Sequence, residues 1–181
     1  MRAAVILCSL LCACPCHGGW PSRPWARRGF WPTPFGSIHY VYGGDFGGSQ
    51  PTLAFFHMNP RSTADYEQTI DLVRERHPFV AFDYFGQGHS DDDPRYLSNN
   101  VDTDFVNATE YAAIALAILD HLGVGKFVPV GAETGTAPAL LLCHAAPERA
   151  VGTVMINPIY YFPDVSARVK QYMLQSRGLP P

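Results

Sequence analysis

The chain switches repeatedly between two hydrophobic periods, and this constrains its fold more than any other feature. Residues 37–42 (S-I-H-Y-V-Y) alternate with period two and stop at Gly43 and Gly44. Residues 52–57 (T-L-A-F-F-H) form an apolar run closed by Asn59 and Pro60. Both predict strands. Ser62 or Thr63 can cap a helix running to about Arg76, and Pro78 ends it ahead of a third strand at 79–83. Asp102 or Thr103 can cap a long helix through Phe105, Ala112, Leu116 and Leu119, stopped by Gly123. A strand at 127–130, a helix at 136–145 and a strand at 152–156 follow. Strand and helix in regular succession predict an α/β fold, a mostly parallel sheet with helices on both faces. In such a sheet, ligands bind at the carboxyl ends of the strands.

The front of the chain is different. Met1 and Arg2 precede an apolar run over residues 3–14, then Pro15, Cys16, His17 and Gly18, which reads as a secretory signal peptide over 1–18. The run is shorter than the ~20 residues a membrane-spanning helix needs, so a permanent anchor is disfavoured. Cys8, Cys12, Cys14 and Cys16 lie in or beside this segment, and cleavage near Gly18 would leave only Cys143. A disulfide framework is then excluded, and the cysteine spacing lacks the His partners of a zinc site. Cys143 lies in an apolar helical stretch and is expected to be a buried, inert thiol. Residues 19–35, rich in Trp, Pro and Arg, are expected to be a linker, or a strap whose tryptophans pack on the core. Residues 36–181 would be the domain itself. A formal charge of −3, with 47% hydrophobic and 16% charged residues, excludes a nucleic-acid reader, a polybasic membrane binder and intrinsic disorder.

The chemistry should then lie at the strand ends. The second strand is followed by His57-Met58-Asn59-Pro60, the third by Asp83-Tyr84-Phe85-Gly86-Gln87-Gly88-His89-Ser90, and the fourth by Gly131-Ala132-Glu133-Thr134-Gly135. In this order these resemble three motifs of the α/β-hydrolase fold family: the H-G-x-P oxyanion loop, the D-x-x-G-x-G-x-S turn and the G-x-S-x-G nucleophile elbow. The resemblance covers roughly residues 37–157. It implies that Gly131 and Gly135 relieve crowding at a sharp strand-to-helix turn, and that the amides of Met58 and Thr134 stabilise developing negative charge. Gly86 and Gly88 would permit the tight path after the third strand, with Asp83 accepting local N–H groups. His57 and Pro60 would anchor the oxyanion loop.

Three features depart from the family pattern. Glu133 stands where the nucleophile belongs, which disfavours Ser-His-Asp chemistry and resembles the haloalkane dehalogenase and epoxide hydrolase branch, where a carboxylate occupies the elbow. Asn59 also resembles the dehalogenase loop. Glu is one methylene longer than the Asp of that branch, and a displacement of about an ångström can cost ~100-fold in rate. Met58 replaces the loop Gly, which would strain or reshape the donor if positive φ were required. The general base is expected after the last strand, yet the histidines are His17, His39, His57, His77, His89, His121 and His144. For the acid, Asn157 stands where some relatives place a carboxylate, and Asp164 reads as a charge at the start of a further helix over 164–177, possible start of a cap.

The resulting expectation is a secreted α/β-hydrolase-fold protein, truncated or catalytically impaired, resident in the secretory pathway or outside the cell. One alternative is an active hydrolase using Glu133 on a small apolar haloalkane or epoxide. Another is a non-enzymatic binding protein. An apolar sheet edge at 151–156 would favour self-association. No cofactor or metal is expected. Asp91-Asp92-Asp93 is expected to be a solvated loop, and Asn107-Ala108-Thr109 is a glycosylation sequon.

Overall fold

The structure, a computed structural model, describes residues 23–95 and 108–158. The signal segment, the start of the strap, the capping positions Asp102 and Thr103, the Asn107 sequon and the 164–177 helix with Asp164 lie outside the described residues. Among the described residues six strands form one sheet in the order β1-β2-β4-β3-β5-β6. They are β1 (Arg27–Thr33), β2 (Gly36–Gly43), β3 (Thr52–Phe56), β4 (Phe79–Phe82), β5 (Phe127–Ala132) and β6 (Val154–Ile156). β1 and β2 run antiparallel to each other and β2 runs antiparallel to β4, whereas β4, β3, β5 and β6 are parallel.

Helices join the parallel strands. A turn of 3-10 helix (Thr63–Tyr66) leads into α1 (Glu67–Val73), α2 covers Ala108–His121 and α3 covers Thr136–Ala145. Period-two alternation in the strands divides the core between the two faces. Ala54, Phe56, Val80 and Phe82 pack with Ala115, Leu119, Ala139 and Leu142 of α2 and α3. Phe55, Phe79, Ala81 and Val130 point the other way, onto Tyr66 and Ile70. The first helix is shorter than expected. Its last turn closes through Arg76 N–H and His77 N–H, both donated to Val73 O, so the chain leaves the helix before Arg76.

Three expectations change. The stretch expected to be a strap or linker contains β1, paired with β2 from Arg27↔Tyr42 to Thr33↔Gly36. Pro32 is tolerated there because β1 is the outermost described strand on its side, where a missing N–H breaks no inner ladder. Trp31 packs against the core and Trp25 meets Phe79 edge-on at 5.6 Å, with the Arg74 guanidinium 4.9 Å from the Trp25 centroid. Asp93 is not solvated either: it is 2% exposed, pairs with Arg95, and Arg95 in turn reaches Glu110 on α2 at 2.9 Å. Cys143 is half-buried rather than buried, and burial pushes its thiol pKa up.

At the opposite edge Val154, Met155 and Ile156 are all exposed, so β6 presents an apolar strand on the side from which self-association is expected. Within α1 the apolar side chains Ile70 and Leu72 separate the roles of core and surface. Ile70 is 0% and Leu72 82% exposed. Ile70→Ala should lower the unfolding free energy by about 2–5 kcal/mol in urea titrations, whereas Leu72→Ala should change it by less than about 0.5 kcal/mol.

Candidate active site

The parallel strands β4, β3 and β5 are neighbours in register, with Phe56 opposite both Phe82 and Gly131. Their carboxyl ends therefore deliver the three motif loops side by side.

The central loop anchor is Asp83, which is fully buried. Its Oδ2 accepts from His39 Nδ1 at 2.7 Å and from His89 N–H at 3.1 Å, and its Oδ1 accepts from Thr63 N–H at 2.7 Å. A carboxylate can only accept, so the proton of His39 is on Nδ1. Burial alone would push the Asp83 carboxyl up, but His39 and the two amides outweigh it and hold the group below the usual carboxylate range. The turn that follows is sewn to β2. Asp83 N–H donates to His39 O, His39 N–H donates to Ser90 Oγ, and Ser37 N–H donates to Asp91 Oδ2. Gly86 and Gly88 have φ of +69° and +59°, and a Cβ on Gly88 would stand 2.1 Å from the Asp83 carboxylate. Only glycine lets the turn close over that anion.

His57 is also fully buried. Its Nδ1 donates to Met58 O at 2.8 Å, and its Nε2, 3.8 Å from Asp83 Oδ1, has no hydrogen-bond partner among the described residues. Burial lowers its pKa against the opposing pull of the Met58 carbonyl and Asp83, which keeps the ring neutral near pH 7. The His57 ring thus closes onto the backbone of its own loop. Met58 departs from the family's Gly without cost in backbone strain, because the described non-glycine residues at positive φ are Glu133 and Asn157 alone.

The elbow is formed as the glycines require. After Ala132 in extended conformation (φ −111°), Glu133 takes φ +49°, the left-handed region, and the chain then enters α3. Cβ atoms on Gly131 and Gly135 would fall 2.4 Å from Gly135 O and 2.3 Å from Phe56 O, respectively. The strained turn lifts Glu133 to a half-buried position, where its side chain has no hydrogen-bond or ion-pair partner among the described residues. Thr136 Oγ1 donates to Glu133 O at 2.6 Å, and Tyr66 Oη donates to Phe56 O at 2.9 Å beneath the turn.

The oxyanion loop and the elbow are joined through side chains. Asn59 N–H donates to Thr134 Oγ1 at 2.8 Å, and Gln87 Nε2 donates to Asn59 Oδ1. The structure thereby brings Met58, Asn59, Glu133 and Thr134 together and adds Gln87. Asn157 follows β6 immediately after the Ala132↔Ile156 pair that sets β6 beside the elbow strand, and it is exposed with φ +49°. His89, His121 and His144 are exposed on loop and helix surfaces. Sequence reasoning missed His39, Gln87 and the hydroxyl of Thr134. The one signal for His39 was a ring flanked by apolar positions in a strand, which needs a buried polar partner.

Comparison with known proteins agrees with this geometry. A family profile described as alpha/beta hydrolase fold matches residues 51–176. Haloalkane dehalogenase 2 of Mycobacterium tuberculosis is 28% identical over 132 residues, covering 73% of this chain and 42% of that protein, and its Mycobacterium bovis counterpart matches equally. The chain thus spans about two fifths of the length of these curated relatives. Among solved structures, a membrane phospholipase A described as a bacterial virulence factor superposes with a TM-score of 0.62 at 19% identity, over 88% of this chain and 46% of that one. An alpha/beta hydrolase from Novosphingobium aromaticivorans gives 0.60 at 21% identity, over 72% and 44%. Naproxen esterase of Bacillus subtilis gives 0.59 at 19%, over 80% and 48%. These structural likenesses concern the fold alone.

The Asp83 network should make stability fall with acid in two stages. The folded pKa of His57 is depressed, so the unfolded chain takes up that proton first and stability declines as pH drops below ~6.5. The folded pKa of Asp83 is also depressed, so its contribution is present above ~3.9 and is lost as pH falls through the folded value. Urea titrations from pH 8 to 3 should show both stages. Asp83→Asn should remove the lower one and cost roughly 3–5 kcal/mol at pH 7. A flat profile between pH 7 and 4 would contradict this account.

Proposed function

The chain belongs to the alpha/beta hydrolase fold family, and we propose that it is a catalytically impaired carboxylate-elbow relative that accepts an electrophilic carbon on Glu133 but releases it poorly. The observation that carries this reading is the half-buried Glu133 at φ +49°, on a turn tight enough to exclude any side chain at positions 131 and 135. A family elbow built this way presents the side chain at its apex to a ligand. Here that side chain is a carboxylate, which suits attack at a saturated carbon and not the acyl chemistry of a serine.

The chemistry is most favourable for a small apolar haloalkane, and the 28% identity to a protein named haloalkane dehalogenase points the same way. A Glu133 carboxylate oxygen attacks the carbon bearing the halogen. The C–O bond forms, the carbon–halogen bond breaks, and halide leaves with the bonding pair, so no proton moves in this step. Met58 N–H, Thr134 N–H and Asn59 Nδ2 are the donors suited to the developing anion. Hydrolysis of the resulting ester needs water activated by a base. The two buried histidines nearest the strand ends, His39 and His57, are occupied by Asp83 and by Met58 O, and His89 lies exposed with its Nε2 3.3 Å from Arg28.

Incubation with a bromoalkane, followed by intact-mass measurement and peptide mapping, should show about one alkyl group per chain on Glu133, and none in Glu133→Gln. Halide release far exceeding one equivalent per chain would overturn the block on release. Equal alkylation of Glu133→Gln, or none in the parent, would overturn Glu133 as the nucleophile.

One observation favours a second role, association with another copy of this chain. Val154, Met155 and Ile156 are consecutive, exposed and apolar on the outermost described strand, and such an edge can pair with its own copy across a two-fold axis. Sedimentation velocity should then show concentration-dependent dimers that Met155→Lys abolishes. A monomer at all concentrations would exclude this association.

A further inference from the structure

Asn59 is gripped from both sides by side-chain groups the chemistry above does not use. Its N–H is committed to Thr134 Oγ1 at 2.8 Å, and its Oδ1 is committed to Gln87 Nε2. What remains is Nδ2, with two N–H donors and no partner among the described residues. A carboxamide whose oxygen is held can offer only hydrogens to a ligand, and a carboxamide that is not held can turn over and offer its oxygen instead. We propose that Gln87 is a positioning residue that fixes the amide face of Asn59, so that the loop presents donors to an anion. This rests on the reading of the site as one that releases a halide from an electrophilic carbon, and it names the group that makes the site selective for an anionic leaving group.

The geometry of Gln87 fits this role. It sits between Gly86 and Gly88, both left-handed, in the turn that closes over the buried Asp83 carboxylate. Gln87 N–H donates to Tyr84 O at 3.1 Å, and Ser90 N–H donates to Gln87 O at 3.1 Å, so its backbone is fixed at both groups. The side chain is half-buried and its Oε1 is buried without a hydrogen-bond partner among the described residues. A glutamine serving only to satisfy its own polar atoms would not leave Oε1 in that state. Its Nε2 makes the one described side-chain hydrogen bond, and that bond is to Asn59.

The test is a bromide titration of the full-length, 15N-labelled chain at constant ionic strength, following the Asn59 Nδ2 resonance identified by its loss in Asn59→Ala. In the parent this resonance should move saturably. Gln87→Met removes the donor without changing charge and should weaken the apparent Kd about fivefold or more, the effect of one lost neutral hydrogen bond. Gln87→Glu offers only acceptors, should turn the Asn59 amide over and should abolish the response. Gln87→Lys offers only donors and should retain it, which a purely structural role for Gln87 would not predict. Parent-like bromide binding in Gln87→Met, or in Gln87→Glu if the Met variant does not fold, overturns the proposal. So does an Asn59 resonance that bromide leaves unmoved in the parent. The readout is separate from alkylation: a Gln87-dependent bromide response without alkylation of Glu133 sinks the proposed chemistry and leaves this inference standing, and the reverse pattern does the opposite.

Discussion

A carboxylate with no exposed surface holds the site together. Removing the Asp83 charge from water costs several kcal/mol, and the position is tenable only because three charge-assisted hydrogen bonds, each worth about 1.5–3 kcal/mol, converge on its two oxygens. The donors come from three different places: His39 in β2, Thr63 at the start of the helical segment after β3, and His89 in the turn after β4. One buried anion therefore fixes an antiparallel strand, a helix start and a loop relative to one another. Without it, the turn that places Gln87 has no reason to close, since Gly88 lies against the same carboxylate.

The second constraint is steric. At the elbow, Gly135 approaches the carbonyls of Phe56 and His57 so closely that a Cβ would overlap both. This forces β5 and the oxyanion loop of β3 into contact, and the Thr134 hydroxyl turns that contact into a specific one by accepting from Asn59 N–H. The strain at Glu133 is then maintained by its surroundings, from Tyr66 bonded to Phe56 O below and from Thr136 bonded to Glu133 O behind. Asn59 consequently touches the ends of all three central strands, directly in its own loop and through Thr134 and Gln87 in the other two.

Much of this was legible in the residues. The alternation of strand and helix periods located β2 to β6 and all three helices, because those elements bury one face each and periodicity records burial. The glycines at 131 and 135 announced a turn too tight for side chains, and the identity of residue 133 was readable from its place between them. What escaped had no local signature. β1 hid in a Trp-, Pro- and Arg-rich stretch where burial alternates over Gly29, Trp31 and Thr33 but hydrophobicity does not, since Gly29 and Thr33 carry little apolar surface and Phe30 between them is exposed. His39 and Asp83 are 44 residues apart, and Gln87 and Asn59 are 28 apart. Such contacts are products of the folded topology and leave no spacing to read. Asp93 looked like one of three solvated acids until Arg95 and Glu110 closed over it.

Replacing a hydroxyl nucleophile by a carboxylate changes what the rest of the site must do. A serine must lose a proton as it attacks, so it needs a base at once, and its oxyanion donors must receive a carbonyl oxygen. A carboxylate is already ionised and needs no base for the first bond, but it must expel an anion from a saturated carbon, and donors are then required on the leaving-group side. The described residues supply the second set of requirements better than the first. Asn59 is oriented as a donor, the amides of Met58 and Thr134 flank the elbow, and the buried histidines are held by other groups. The extra methylene of Glu133 places its oxygens about an ångström beyond where an aspartate would reach, and a displacement of that size is able to cost ~100-fold in a step that depends on attack geometry.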